Sequence, residues 1–198
     1  MIARLSGLLI AGLAFGATAA AQPANPSTID SADTQFDTDK NCKHTPGRQP
    51  EDYGTWLCQG YAGISVLLFA GDQRMTVSFG PRAKDEVAAG ETFPQFNDVY
   101  KGTIEWRFER GADGKPEPFA TILRWNYIVS GRQKPTGSAL VVTRLGTGSV
   151  CQIGWVDARA NADANAMARK VADEKARAFR CGVDRPEWVG KAPNKQPD

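Results

Sequence analysis

The sequence contains few of the groups on which nucleophilic and metal chemistry depend. Its only histidine is His44, and it has no Gly-x-Ser-x-Gly motif. The four cysteines form an even set, so none is predicted to remain an unpaired nucleophile. A Cys/His metal site would need further ligands at regular spacing and reduced thiols. We therefore predict no catalytic residue of the Ser/His or Cys/His kind and no metal ligand.

Charge and glycine patterns exclude further classes. With 24 basic and 22 acidic residues the formal net charge is +2, which does not suggest a nucleic-acid binder. The phosphate-binding and dinucleotide-binding glycine patterns are absent, so we predict no cofactor. The run Asn161-Ala-Asp163-Ala-Asn165 has the spacing of a calcium loop. However, Ala166 and Ala172 stand where that loop needs glycine and glutamate, so helix capping explains the run better.

Only the beginning of the chain has the pattern of an export signal. Met1-Ile-Ala-Arg4 is followed by an apolar run that ends in small residues up to Ala21. This run is shorter than the roughly 20 residues that span a bilayer. We expect residues 1–21 to be a signal peptide cleaved after Ala21. The mature protein is then expected in the periplasm, without a membrane span.

The rest of the chain divides into a domain and two tails. Residues 22–40 and 191–198 are polar and predicted to be a disordered leader and a disordered tail. Residues 41–190 are long enough for a single domain with a hydrophobic core. In an oxidising compartment the four cysteines predict two disulfides. Three connectivities are possible, and we favour Cys42–Cys58 and Cys151–Cys181 because each closes a loop within one local unit.

Six segments have the apolar patterns of strands. They are Tyr61–Phe69, Arg74–Phe79, Thr103–Phe108, Phe119–Val129, Ala139–Leu145 and Val150–Val156. Residues 161–180 are alanine-rich, with apolar residues at helical spacing. We predict an α+β fold: an antiparallel, mostly meandering sheet of about six strands with the C-terminal helix packed on one face.

Polar side chains are predicted on the sheet face turned away from the helix. Glu105 and Arg107 lie on one strand, Arg124 on the next and Arg144 on a third. In a meander these arginines would form a row that binds a carboxylate, a phosphate or an acidic partner through bidentate contacts. The alternative is that long charged side chains only keep an exposed sheet face soluble.

The loop of residues 80–100 is a second place where we expect function. It has neither strand nor helix periodicity, and Phe93 and Phe96 are predicted to anchor it. Loops of this length in a compact domain are often functional.

Several runs of this sequence resemble those of a known group of proteins. These runs are Trp56-Leu-Cys58-Gln-Gly-Tyr61, Arg74-Met-Thr-Val-Ser-Phe-Gly80, and Val156-Asp-Ala158 leading to Ala172-Asp-Glu-Lys-Ala-Arg-Ala-Phe-Arg-Cys-Gly182. They resemble a group of small uncharacterised periplasmic proteins of alphaproteobacteria. The resemblance implies a compartment, but it implies no activity and no site residues.

Three functions are compatible with these patterns. The leading hypothesis is a non-catalytic periplasmic module that binds a protein partner or an envelope component. The second is an inhibitor of a lysozyme-like hydrolase, because small disulfide-bonded β proteins of the periplasm that block lysozymes are similar in size. The third is an envelope-glycan hydrolase, which needs two carboxylates flanking a cleft. Its candidate acids are Glu51, Asp52, Glu91, Glu105 and Asp157.

Overall fold

Two β-sheets and one α-helix form three layers, with the larger sheet in the middle. The computed structural model describes residues 28–49, 52–128, 137–146 and 149–193. Within these ranges the strands and the helix are β1 (Asp30–Asp37), β2 (Cys42–Thr45), β3 (Asp52–Gln59), β4 (Ser65–Gly71), β5 (Arg74–Phe79), β6 (Asn97–Asp98), β7 (Lys101–Arg110), β8 (Pro116–Tyr127), β9 (Gly137–Arg144), β10 (Cys151–Asp157), α1 (Ala164–Lys175) and β11 (Glu187–Trp188).

The order of the strands confirms the fold class but not the predicted single sheet. The larger sheet has the order β1-β7-β8-β9-β10-β11, with β6 paired to β8, and the smaller has the order β2-β3-β4-β5. The pairings are antiparallel except for the short parallel contact between β10 and β11. The α+β class with a C-terminal helix is confirmed. The single meander of six strands is wrong, because β4 and β5 belong to the smaller sheet.

Both faces of the larger sheet are apolar, and each is covered. Along β8, Leu123 and Trp125 belong to a cluster that also contains the inward residues of the smaller sheet. Their neighbours Ala120 and Ile122 belong to a second cluster beneath α1. Since successive side chains of a strand point to opposite faces, one strand supplies both cores. Trp125 and Tyr127, two residues apart on β8, are both buried.

The smaller sheet includes residues 41–57, a segment that contains two prolines and two glycines. β2 and β3 form a hairpin in which Cys42 lies opposite Cys58. Gly54 lies within β3 at an irregularity of the strand pairing. Its φ is +113°, and a Cβ there would come within 2.3 Å of the carbonyl oxygen of Thr45. Glycine here allows a close backbone approach within a strand.

Part of the predicted disordered leader is ordered. Residues 30–37 form β1, which pairs antiparallel with β7 along its whole length. Polar residues occupy most of this edge strand, but Phe36 is buried and the hydroxyl of Thr34 accepts a hydrogen bond from the indole N–H of Trp106. Two anchors and a hydrogen-bonded backbone thus order a polar segment. The signal peptide, residues 22–27 and residues 194–198 lie outside the described residues.

The helix is shorter than predicted but connects the cysteines as expected. α1 ends at Lys175, and turns carry the chain on to Cys181, which is joined to Cys151. The Cys42–Cys58 disulfide is also present. The N-cap residue Asp163 makes no side-chain capping bond. Asn161 instead binds the backbone of Lys191, the first residue of the predicted tail, through both its amide nitrogen and its amide oxygen.

The two disulfides indicate an oxidising, exported environment. Among the described residues, no helix has the length and apolar character needed to cross a membrane.

Removing the disulfide between Cys151 and Cys181 should lower the free energy of unfolding by about 3–4 kcal/mol. For the Cys42→Ala, Cys58→Ala double variant the chain-entropy model predicts a loss that is smaller than this one by about half a kcal/mol, because the loop closed by that disulfide is shorter. The sequence separations are 30 and 16 residues. Urea unfolding followed by circular dichroism measures both double variants. A larger loss for the shorter loop would contradict this order.

Candidate functional site

The predicted arginine face lies beneath α1, not on the opposite side of the sheet. Arg107 is only 9% exposed. Its Nε and Nη2 atoms donate hydrogen bonds of 2.9 and 2.7 Å to the two carboxylate oxygens of Asp173 on α1. Glu105, two residues earlier on β7, accepts a hydrogen bond of 2.8 Å from the hydroxyl of Ser31 on β1. Arg107 therefore connects the larger sheet to the helix, and Glu105 connects two neighbouring strands of that sheet.

Helix α1 and strand β7 meet in a ladder of alternating charges, which we call the charge ladder. A step of four residues along a helix covers about 6 Å, and a step of two residues along a strand covers about 6.6 Å. Because these steps nearly match, every fourth helix residue meets every second strand residue. The pairs of the charge ladder are Arg169–Glu105, Asp173–Arg107 and Arg177–Glu109.

Residues four apart on a helix can form ion pairs, but the charge ladder replaces two such pairs of Asp173. Arg169 on α1 and Arg177 in the turn after it each direct the guanidinium to a glutamate of β7, not to the carboxylate of Asp173. The pair Lys170–Glu174 within α1 is present with 4.0 Å between Nζ and Oε1. The charged side of α1 thus contributes to packing in addition to solubility.

The other two arginines of the predicted row differ in their surroundings. Arg144 donates from Nε to the carbonyl of Ala176 at 2.9 Å and from Nη1 to the carbonyl of Ser149 at 2.6 Å. It therefore ties the end of α1 to the connection between β9 and β10. Arg124 is exposed and donates a 3.0 Å hydrogen bond to the hydroxyl of Ser138. Of the predicted site residues, Arg124 is the one with an exposed side chain.

Three candidate acids of the hydrolase hypothesis are engaged by the protein itself, two of them by backbone N–H groups and one by side chains. Glu91 Oε2 accepts a hydrogen bond of 2.6 Å from the backbone N–H of Gln152. Asp157 Oδ1 accepts from the two backbone N–H groups of residues 159 and 160. Glu105 belongs to the charge ladder. Glu51 and the side chain of Asp52 lie outside the described residues.

The long loop of residues 80–100 joins the two sheets. Two glutamates of the loop bind the backbone at the start of β10. Glu91 binds Gln152, as described above, and Glu86 Oε2 accepts a hydrogen bond of 2.9 Å from the N–H of Val150, the residue before β10. Phe93 is buried as predicted, and its ring packs against Trp125, Trp155 and Trp188. Near its end, Asn97 pairs with β8 of the larger sheet while its N–H donates to the carbonyl of Gln73 in the smaller one.

Beside this junction lies a concave site of about 190 Å³, which we call the aromatic pocket. Its wall includes Tyr53, Phe96 and Tyr100, which are 50%, 39% and 38% exposed. The described part of the chain has seven exposed large hydrophobic side chains, and three of them line this one pocket. A cluster of exposed aromatic rings around a concavity is a feature of binding sites.

The geometry of the aromatic pocket is fixed by buried hydrogen bonds. Asn97 is 7% exposed, and its Oδ1 accepts from the N–H of Met75 at 3.0 Å. Its Nδ2 donates to the hydroxyl of Thr92 and to the carbonyl of Gln95. The hairpin turn between β4 and β5 forms another part of the wall. Gln73 in that turn has a φ of +57°, an uncommon value for a residue other than glycine.

The two charged groups of the aromatic pocket differ in the hydrogen bonds that they already make within the protein. The guanidinium of Arg74 lies 5.1 Å from the ring centre of Phe96, but it also donates to Asp72 and to the carbonyl of Pro94. Among the residues that the structure describes, Asp98 has only a long contact of 3.5 Å, in which it accepts from Asn126.

The phenol of Tyr100 remains a hydrogen-bond donor at neutral pH. Burial raises the pKa of Tyr100, and the nearby Tyr53 and Asp98 raise it further. The aromatic pocket therefore offers two phenol hydroxyls, those of Tyr53 and Tyr100, and the carboxylate of Asp98.

A second concavity is larger and more apolar. It measures about 470 Å³ and lies where the ends of the two sheets separate, between Phe79 and Ile64 on one side and Pro118 and Leu145 on the other. Its charged residues are Arg82 and Glu86. Because Glu86 already accepts the N–H of Val150, this groove offers few free polar groups.

The chain forms a small disulfide-bonded α+β protein of three layers, with an aromatic pocket at the junction of its two sheets. Comparison with protein-family models, curated proteins and solved structures finds no match. Within the described ranges, no three His, Cys, Asp or Glu side chains form a group that could hold a metal ion. Phe96 and Tyr100 lie in the loop of residues 80–100, where the sequence predicted function, whereas no pattern in the sequence pointed to Tyr53.

Neutralising Asp173 should destabilise the protein by about 2–3 kcal/mol, because Asp173→Asn leaves the nearly buried guanidinium of Arg107 with only the more distant carboxylate of Glu105, at 3.6 Å. The matched control is Glu174→Gln, which neutralises an exposed partner of Lys170 on the same helix. This control should change stability by no more than about 0.5 kcal/mol. Equal effects in chemical unfolding would show that the charge ladder does not stabilise the fold.

Glu91→Gln should stabilise the protein at pH 7. Burial raises the pKa of Glu91 above its usual value of 4.5, although the N–H of Gln152 opposes this shift. The folded state therefore binds this proton more tightly than the unfolded state. Its stability falls as pH rises from about 4.5 through the higher pKa of the folded state. Thermal melts should show a higher Tm for the variant at pH 7, with a gain that vanishes below pH 4.5. A gain independent of pH would contradict this explanation.

Proposed function

We propose that the protein is an exported, non-catalytic periplasmic module that binds a protein partner or an envelope component through the aromatic pocket. The observation that carries this proposal is the concentration of exposed aromatic rings, three of seven exposed large hydrophobic side chains, around one concavity. Tyrosine combines a large apolar face with a polar tip, which is why it is enriched at binding surfaces.

The rigidity of the pocket wall supports this function. Asn97 uses its side-chain amide and backbone N–H on groups of the protein itself, so the wall is formed before any ligand arrives. A site that is already ordered loses less conformational entropy on binding.

The periplasm is the compartment that fits best. The N-terminal pattern is that of a signal peptide, and the two disulfides require an oxidising environment. The resemblance to small periplasmic proteins of alphaproteobacteria agrees with this compartment. No observation favours the lysozyme-inhibitor hypothesis over another partner. The described acids proposed for a hydrolase are held by the protein itself, so we do not propose glycan hydrolysis.

The arginine row makes a weaker site than the aromatic pocket. Replacing Arg107 or Arg144 would damage the fold, because both bind groups of α1 or of the chain just after it. Arg124→Ala is therefore the variant that tests this face, since Arg124 is exposed.

Capture from periplasmic extract and co-sedimentation with envelope fragments test the proposal. The wild-type protein should retain a component, and a Tyr53→Ala, Phe96→Ala double variant should lose most of this retention because the pocket loses two rings. Phe69→Ala is the matched control. Its ring is 38% exposed on the outer face of the smaller sheet and does not line the pocket.

Thermal melts must first show that each variant is folded. Retention that is unchanged in the double variant would overturn the proposal. Retention lost in Arg124→Ala, but kept in the double variant, would move the site to the arginine face.

A further inference from the structure

The charges in the aromatic pocket disfavour ionic ligands. Arg74 has its guanidinium hydrogen-bonded to Asp72 and to the carbonyl of Pro94, so it lacks a free fork for an anion. The same guanidinium lies over the ring of Phe96, where it would repel a cationic ligand. The carboxylate of Asp98 would in turn repel an anion. The ligand that fits this distribution is neutral.

Hydrogen bonding requires that this ligand also supply donors. The carboxylate of Asp98 can only accept hydrogen bonds, and within the described residues its one contact is a long one to Asn126. The hydroxyls of Tyr53 and Tyr100 can each donate and accept. A purely apolar ligand would offer no partner to the two phenols or to this carboxylate, which is unfavourable when water is excluded.

The shape of the pocket sets the size of the bound group. A volume of about 190 Å³ is below the range of roughly 300–1,000 Å³ typical of pockets that enclose a drug-sized ligand. Flat aromatic rings form much of its wall. A small ring fits such a pocket when one face is apolar and the edge carries hydroxyl groups.

We infer that the aromatic pocket binds a neutral sugar ring, so that the envelope component of the proposed function is a glycan. This inference rests on the proposed function and specifies its ligand class. The C–H face of a sugar ring packs on Tyr53, Phe96 or Tyr100, and its hydroxyls donate to Asp98 and exchange hydrogen bonds with the two phenols. The half-exposed rings remain available for this stacking.

A proline-rich peptide is the main competitor, because such peptides also bind to aromatic surfaces. Its prolines lack N–H groups, so they offer carbonyl acceptors to a carboxylate that can only accept. Binding of such a segment also uses an extended groove, whereas this pocket is a single depression. The carboxylate of Asp98 therefore favours the sugar.

Isothermal titration calorimetry tests the inference with the mature protein. The probes are neutral oligosaccharides, built of glucose or of N-acetylglucosamine, and a proline-rich peptide. At least one glycan should bind, with an affinity that does not change between low and high salt, because a neutral ligand has no charge to screen.

Variants assign the binding to named groups. Tyr53→Ala and Asp98→Asn should each weaken glycan binding about tenfold or more, which corresponds to about 1.4 kcal/mol. Tyr53→Phe, which keeps the ring, should retain more affinity than Tyr53→Ala. Phe69→Ala should bind as the wild type does. Full affinity in Asp98→Asn would contradict the inference.

The failure of this inference can be told apart from that of the proposed function. If no glycan binds but retention by envelope fragments still depends on Tyr53, the inference is wrong and the function stands. Selective binding of the proline-rich peptide would likewise overturn the inference and leave the function in place. If retention does not depend on the pocket, both are wrong.

Discussion

The larger sheet is apolar on both faces, and the rest of the structure follows from the need to cover it. Trp125 and Leu123 of β8 face the smaller sheet, while Ile122 and Ala120 face α1. Each large side chain buried in this way contributes roughly 1.5–3 kcal/mol. Neither face could be left in water, so the chain needs a second sheet on one side and a helix on the other.

The helix covers its face by two different interactions. Small residues such as Ala168 and Ala172 bring it close to the sheet, where a Cβ at Gly154 would lie 3.2 Å from a methyl carbon of Val171. Its apolar stripe does not reach β7, where the ion pairs of the charge ladder hold the helix instead. Because Arg107 is nearly buried, this ladder fixes the lateral position of α1 as well as adding stability. The Cys151–Cys181 disulfide holds the chain that follows.

Local patterns predicted those parts of the fold that depend on neighbouring residues in the sequence. The strand Arg74–Phe79, the apolar stripe of α1 and both disulfides were correct. Which strands pair was not predictable, because alternation reveals the two faces of a strand but not its partner. For the same reason Glu105 and Arg107 were placed on one face, yet nothing local showed that α1 covers that face. Their partners lie more than 60 residues away along the chain.

The aromatic pocket is a consequence of how the two sheets are joined. β6 is two residues long, so it bridges the sheets through Asn97 but cannot fill the corner that it spans. Rings from three segments surround that corner, namely Tyr53 at the irregularity in β3, and Phe96 and Tyr100 on either side of β6. If this corner served only stability, buried aliphatic side chains would close it without exposing aromatic surface. Its half-exposed rings and the carboxylate of Asp98 are the features on which the proposal of a bound ligand rests.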